Sequence, residues 1–298
     1  MTRAPDILCI GSVLWDIIGR SAHPMPMGAD RPGRITRVPG GVAMNIATVL
    51  ARLGLRPALL TAIGRDAEGE DLLAQCAALG LVTDHVHRPA DLPTDRYMAV
   101  EAAGGLIAAI ADAHSLEQAG AAILAPLSDG RLGSAASPWP GPVALDGNLT
   151  AALVADIAAS PLFAQADLRV APASPGKADR LTPLLSHPGA TLYVNLEEAA
   201  ILSGRPCRSA PEAAEALLAA GARRVLVTDG AGMAADGMTG GALVTGRPPA
   251  VEARQITGAG DTFMAAHIAA EVRGLAGRDA LQTALNAAAT YVSGSDPA

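Results

Sequence analysis

Lysine is almost absent from this chain of 298 residues: Lys177 is the only one. It sits in Pro175-Gly176-Lys177-Ala178, which lacks the GxxxxGK[ST] spacing that cradles nucleotide phosphates, so a P-loop is excluded. A pyridoxal Schiff base is disfavoured too, since this one loop lysine would have to be its anchor. Aromatic residues make up 2% of the chain, so stacking platforms are scarce and the core must be built from Leu, Val, Ile, Met and close Ala contacts. Cys9, Cys76 and Cys207 are odd in number, far apart and form no CxxC, which fits a reducing cytoplasm better than secretion or structural zinc. Long apolar runs are missing. Asp112 and His114 interrupt the longest Ala-rich candidate for a membrane span, and the run 7–10 is too short, between Asp6 and Asp16, for a signal peptide. A formal charge of -7 offers nothing to a phosphate backbone or an anionic lipid surface, so neither a nucleic-acid polymer nor a membrane is expected as a partner.

Half of the residues are hydrophobic and 17% are charged, the balance of a globular chain long enough for a sizeable core. Short β-like runs at 7–10, 58–62, 143–145, 168–170, 192–194 and 225–227 alternate with helical patterns at 43–53, 67–79, 151–159 and 211–220. That rhythm predicts a doubly wound α/β domain with a mostly parallel sheet flanked by helices. Segments 13–38 and 94–111 break it. The first is rich in Pro and Gly, and the second places two apolar runs around Ala103-Gly104-Gly105, as a hairpin would. Together they predict a small β-sheet lid on a single domain spanning 1–298. Near the C-terminus, Met264, Ile268 and Val272 recur at i, i+4 and i+8 in a helix after Gly258, a second helix is expected from Asp279 to about Val292, and the polar tail 293–298 is expected to fray.

Four stretches carry candidate chemistry. In Gly258-Ala259-Gly260-Asp261 the small residues would let backbone N–H groups approach an anion at a helix N-terminus, and Asp261 could take a proton from an attacking hydroxyl. The same aspartate could simply cap the helix. Gly40-Gly41-Val42-Ala43-Met44-Asn45 places a glycine pair before a helix and an amide able to bind vicinal hydroxyls, or it is a Gly-rich turn with an exposed Asn. Asp16, just after the first strand, could accept from two adjacent alcohols. Asn195-Leu196-Glu197-Glu198 could position Mg²⁺ through its waters or merely start a helix. His85 and His87 share one side of a strand, but no third zinc ligand is visible, and Asp146-Gly147-Asn148 reads equally as a ligand-facing strand end or a turn.

In this order, Gly40-Gly41-x-x-x-Asn45, Asn195-x-x-Glu198 and Gly258-Ala259-Gly260-Asp261 resemble the PfkB, or ribokinase-like, family of carbohydrate and nucleoside kinases. Residues 40–54 resemble the family's first signature and 257–266 its second. The resemblance implies a ribokinase-like fold with a β-sheet lid, and transfer of a phosphoryl group from ATP, with Mg²⁺, to a substrate alcohol. It implies Asp261 as catalytic base, Gly258, Ala259 and Gly260 as anion hole, and Asp16, Gly40, Gly41 and Asn45 around the sugar. Asn195 with Glu198 matches the element associated with Mg²⁺ and phosphate, and Thr228 and Gly230 resemble the nucleotide-site strand end. A monovalent cation such as K⁺ is left open. Pro32-Gly33-Arg34-Ile35 before Pro39-Gly40-Gly41-Val42, with Ala109-Ile110-Ala111-Asp112, looks most like the pseudouridine kinases, which would place Asp112 near a C-nucleoside phosphorylated at its 5'-hydroxyl. The alternatives are a free-sugar kinase and a catalytically silent sugar-binding protein. Leu14, Met44 and Ala171 depart from residues common among relatives. The apolar lid face leaves room for a homodimer.

Overall fold

The computed structural model describes residues 3–103 and 105–295. An eight-stranded sheet forms the centre, built from β1 (Ile7–Ile10), β4 (Pro57–Leu60), β7 (Val143–Asp146), β8 (Leu168–Ala171), β9 (Ala190–Asn195), β10 (Arg224–Thr228), β11 (Ala234–Met238) and β12 (Val244–Gly246). Its order is β12-β11-β10-β9-β8-β7-β1-β4, parallel from β4 through β10, with β11 and β12 antiparallel at one edge. The central strands β1, β4 and β7 are buried at every position, and apolar at all but Asp146, because helices cover both faces, as parallel sheets require. Alternate residues feed two separate cores. Leu8, Ile10 and Leu60 face α4 (Ala151–Ala159), α5 (Leu196–Ser203) and α6 (Ala210–Ala219), whereas Ile7, Cys9 and Leu59 face α1 (Val42–Arg52), α2 (Ala67–Ala78), α7 (Ala259–Val272) and α8 (Gly277–Val292).

The two segments that break the α/β rhythm form a second sheet, β3-β2-β5-β6, from β2 (Leu14–Arg20), β3 (Arg34–Gly40), β5 (Arg96–Ala102) and β6 (Gly105–Asp112). Strands β5 and β6 pair as a hairpin, and Gly104 at its tip lies outside the described residues. A short helix α3 (His114–Ala119) returns the chain to the main sheet, docked by Asp95, whose carboxylate accepts from the backbone N–H groups of Ser115 and Leu116 at 2.9 Å each.

The structure departs from the sequence expectations at three places. The stripe Met264, Ile268, Val272 does not describe α7, since every residue from Thr262 to Ala270 is buried while Val272 is 54% exposed. A helix buried all round has no polar face for periodicity to reveal. The three cysteines, read from the sequence as core thiols, divide: Cys9 and Cys76 are in the core, but Cys207 is only half-buried, and all three are free. Of the tail expected to fray, 296–298 lies outside the described residues, and Ser293 to Ser295 remain hydrogen-bonded to the last turns of α8.

The C-terminal end of α7 is pinned by ions. Glu271 joins Arg169 on β8 to Arg224 on β10, the latter at 2.7 Å, and Arg224 also bonds Asp236 on β11 at 2.8 Å. A carboxylate in a helix's last turn opposes the macrodipole and survives burial here only because two guanidinium groups face it. Burial raises the Glu271 acid, yet the attraction of Arg169, His267 and Arg224 outweighs it and holds the group below the usual carboxylate range. Replacing Glu271 with Ala should cost about 3 kcal/mol, because both arginines lose a buried partner. Urea denaturation measures it, and a loss under about 1 kcal/mol would show that solvent already satisfies the cluster.

Candidate active site

The loops at the C-terminal ends of β1, β7, β8, β9 and β10 converge beside the second sheet, where open α/β sheets form their ligand crevice. At its centre is Asp146, the last residue of β7 and 1% exposed. One carboxylate oxygen accepts from Ser12 N at 2.8 Å, Ser12 Oγ at 3.2 Å and Ala43 N at 3.0 Å, and the other from Asn148 N at 2.7 Å. Burial raises this acid, opposed by the backbone donors of Ser12, Asn148 and Ala43. Asp146 therefore fastens the N-terminus of α1 to the end of β1. Its partners lie 134 and 103 residues away, so the sequence could present it only as one acid in a turn.

The glycine pair before α1 is required by its neighbours. A Cβ on Gly40 would overlap the carboxylate of Asp16, and one on Gly41, which caps α1 at φ +97°, would overlap the Ser12 carbonyl. Asp16 thus lies against the backbone of Gly40, where burial pushes its carboxyl up to about 6. One turn into α1, Asn45 Nδ2 donates to Asp261 Oδ2 at 2.8 Å, across 216 residues of sequence. That bond joins the two glycine-rich motifs in one site.

Asp261 stands in the first turn of α7, whose N-cap is Gly258 at φ +91°. Burial pushes its carboxyl up to about 7; the Asn45 hydrogen bond opposes this, while Asp146, Glu198 and Asp16 add repulsion. Among the described residues no side chain caps α7. The N–H of Ala259 turns back onto the Ile256 carbonyl at 3.1 Å, so among Gly258, Ala259 and Gly260 the middle donor is already engaged; those of Gly260 and of Asp261 itself have no acceptor among the described residues. Glycine at 260 leaves open space beside them. A cavity of about 470 Å³ between α1, α2 and the last two helices reaches Asn45 and Gly258.

Asn195 and Glu198 form a capping box on α5: Asn195 Oδ1 accepts from Glu198 N at 2.9 Å, and Glu198 Oε2 accepts from Asn195 N at 2.8 Å. The helix-start reading is therefore correct as far as it goes. Glu198 is nonetheless 7% exposed, its acid raised by burial, and Oε1 takes no part in the box. Among the described residues no group of three or more His, Cys, Asp and Glu side chains forms a metal cage. The donors suit a hard cation held through water and phosphate oxygens, which is how Mg²⁺ commonly binds. Thr228 lies beside Asn195 in the register of β10 and β9, and Gly230 follows in an exposed turn.

Asp112 is not brought to this cluster. It pairs across β5 with Arg96, in the row of Trp15, whereas Asp16 pairs with Tyr97 in the next row, and successive rows of a pleated sheet face opposite sides. The Asp112 carboxylate bonds His114 Nδ1 at 2.7 Å instead. His85 and His87 line a separate cavity of about 370 Å³ with Arg65, Arg88 and Arg131, cations that suit no zinc site.

With this geometry in hand, the comparisons decide the family. A model of the pfkB family of carbohydrate kinases matches residues 4–298. The chain belongs to that family. The pseudouridine kinase of Escherichia coli is 38% identical over 84 residues, 28% of this chain but only 27% of that protein's length. A carbohydrate kinase from Agrobacterium tumefaciens superposes with a TM-score of 0.79 at 26% identity, covering 96% of this chain and 90% of the other. The ribokinase of Arabidopsis thaliana, solved with ribose and ATP, gives a TM-score of 0.78 at 23% identity over 97% and 93%. The ribokinase-like fold is thereby established. Among the described residues no helix is long and apolar enough to cross a membrane.

The raised Asp261 carboxyl has a thermodynamic consequence. An unfolded aspartate ionises near 3.8 and this one near 7, so the folded chain holds an extra proton between those values and loses stability as pH rises through them. Asp261→Asn removes that loss while an amide oxygen can still accept from Asn45. Its stability advantage over the unsubstituted chain should grow by on the order of 2 kcal/mol between pH 5 and pH 8, read from urea midpoints. Equal midpoints at both pH values would mean that the carboxylate is not held against burial.

Proposed function

We propose that this family member is an ATP-dependent phosphotransferase acting on a hydroxyl of a sugar or nucleoside, with the 5'-hydroxyl of pseudouridine as the preferred acceptor. The observation that carries the reading is the Asn45–Asp261 hydrogen bond, which puts a carboxyl with a pKa near neutrality beside uncapped helix N–H groups and the glycine cradle. The acceptor oxygen attacks the γ-phosphorus in line, its proton passes to Asp261, and the bond from phosphorus to the bridging oxygen breaks to release ADP. The N–H groups at the start of α7 stabilise the charge that develops on the transferring group. Asp16 and Asn45 hold sugar hydroxyls. Asn195, Thr228 and Gly230 line the donor side, and Glu198 would hold Mg²⁺ through water; that ion, when bound, neutralises phosphate charge.

The identity to pseudouridine kinase supports the nucleoside acceptor and the long match to a carbohydrate kinase supports a free sugar such as ribose or a fructose derivative. The same Asp16, Asn45 and Asp261 serve either. The second sheet acts as a lid that excludes water, so that transfer goes to the sugar and not to hydrolysis. Its outer positions Ile35, Met98 and Ile110 share the face of Trp15 and remain exposed, which supports pairing of two copies through the lid; sedimentation as a monomer at micromolar concentration would remove that part.

ADP release should be followed with pseudouridine, uridine, adenosine, ribose and fructose derivatives. The fastest turnover is expected with pseudouridine, and binding of any of these without ADP release would favour a silent binding protein. Asp261→Asn should lower kcat by about 10²- to 10⁴-fold with acceptor affinity kept. Because the base must be ionised, the rate of the unsubstituted chain should rise with pH to a plateau above a midpoint near 7. A flat profile between pH 5.5 and 8.5 with the chemical step rate-limiting would assign the proton elsewhere.

A further inference from the structure

We propose that Lys177, the only lysine of the chain, is the cation set against the transferring phosphoryl group and contacts its oxygens. This rests on the kinase reading above and adds a residue that neither family signature contains. Three observations carry it. The first is position in the sheet: the candidate acceptor side is built on β1 and β7, the candidate donor side on β9 and β10, and β8 lies between them. Lys177 is carried on the run of 3-10 turns Pro175–Leu184 directly after β8, so its loop stands between the two reactants.

The second is its tether. Lys177 Nζ donates to Asn148 Oδ1 at 2.5 Å, Asn148 Nδ2 donates to Ser12 Oγ at 2.8 Å, and Ser12 Oγ accepts from Val42 N at 3.0 Å at the start of α1. The ammonium is thus fixed to the same frame that holds Gly41 and Asn45. An ammonium has three donors and one is used here; among the described residues it makes no ion pair. Nearby Arg180 is different, since its guanidinium is occupied by the carbonyls of Asn148 and Leu149 and lies beside Glu117.

The third is charge balance. Asp146, Glu198 and Asp16 all act on Asp261 electrostatically, so four carboxylates gather at the candidate base. Asp146 acts electrostatically on both Asp261 and Lys177, which places the ammonium and the candidate base around one buried acid. A phosphoryl group moving among carboxylates needs a compensating cation from the protein as well as from the metal. Burial and Arg180 hold the Lys177 ammonium below its ordinary value, against the opposing pull of Asp146 and Glu117.

Because the chain has one lysine, the only amines an acetylating reagent can modify are Lys177 and the α-amino group, and peptide mass spectrometry separates the two from each other and from acylated hydroxyls. Acetylation of Lys177 in the unsubstituted protein should be timed alone, with Mg²⁺ and a non-hydrolysable ATP analogue, and with AMP. Pairing with the γ-phosphate that raises the amine by one pKa unit leaves about tenfold less free amine, so the analogue should slow labelling about tenfold and AMP hardly at all. Lys177→Met should lower kcat about 10²-fold with the acceptor KM kept within about threefold, and Lys177→Arg should restore part of the rate. Calorimetry with the same analogue separates the outcomes. Analogue binding without slower labelling, or a Lys177→Met protein that keeps kcat within threefold, overturns the Lys177 assignment and leaves the kinase reading standing. No analogue binding at all overturns both.

Discussion

One buried carboxylate organises the site. Asp146 ends the strand next to β1, and its four hydrogen bonds tie the turn after β1, the first turn of α1 and its own loop into a single frame. Everything reactive is referred to that frame. Gly41 can approach Ser12 only because α1 begins there, Asn45 reaches Asp261 only because α1 runs on from there, and Lys177 is steadied through Asn148. Losing one partner of a buried, multiply bonded carboxylate leaves the others unsatisfied, so the arrangement has little room for gradual change.

The same gathering of acids works against the fold. Asp16 and Asp261 are both pushed well above the usual aspartate range, so ionising them in the folded chain destabilises it. What offsets this lies at the other end of α7, where Glu271 is clasped by two arginines and the helix is sealed among alanines of its neighbours. The helix is anchored where nothing reacts and strained electrostatically where something can. A chain with so few aromatic residues can build such a helix only through close Ala contacts, and Ala265, Ala266, Ala269 and Ala270 supply them.

How much of this is legible in the sequence follows from the range of each interaction. The parallel strands and helices α1, α2, α4 and α6 announce themselves, since apolar runs and amphipathic repeats are local signals, and their observed ends fall within a residue or two of those expected. The antiparallel edge β11 and β12 passes unnoticed because Gly237 and Gly246 interrupt any β pattern. Motif spacing locates Asp261 and Asn45 but not the bond between them. Asp146 and Lys177 look ordinary in the chain because their roles depend on partners more than a hundred and about thirty residues away, respectively. Asp112 misleads for the opposite reason: its neighbourhood in sequence is suggestive, but pleating turns it away from Asp16.

Selectivity is the step where resemblance and structure part. Met44, one of the departures from the family resemblance, is buried against Cys76, with Sγ and Sδ 3.6 Å apart. Leu14, another departure, is likewise in the core at 6% exposure. Neither can present a polar group to an acceptor. The face of the lid that carries Asp16 is different, since Tyr97 stands directly opposite it on β5 and Val38 on β3. Asp16 raises the Tyr97 phenol, after burial, and that coupling places the two groups within electrostatic reach. A flat ring paired with a half-buried carboxylate gives that face of the lid one apolar and one hydrogen-bonding surface side by side.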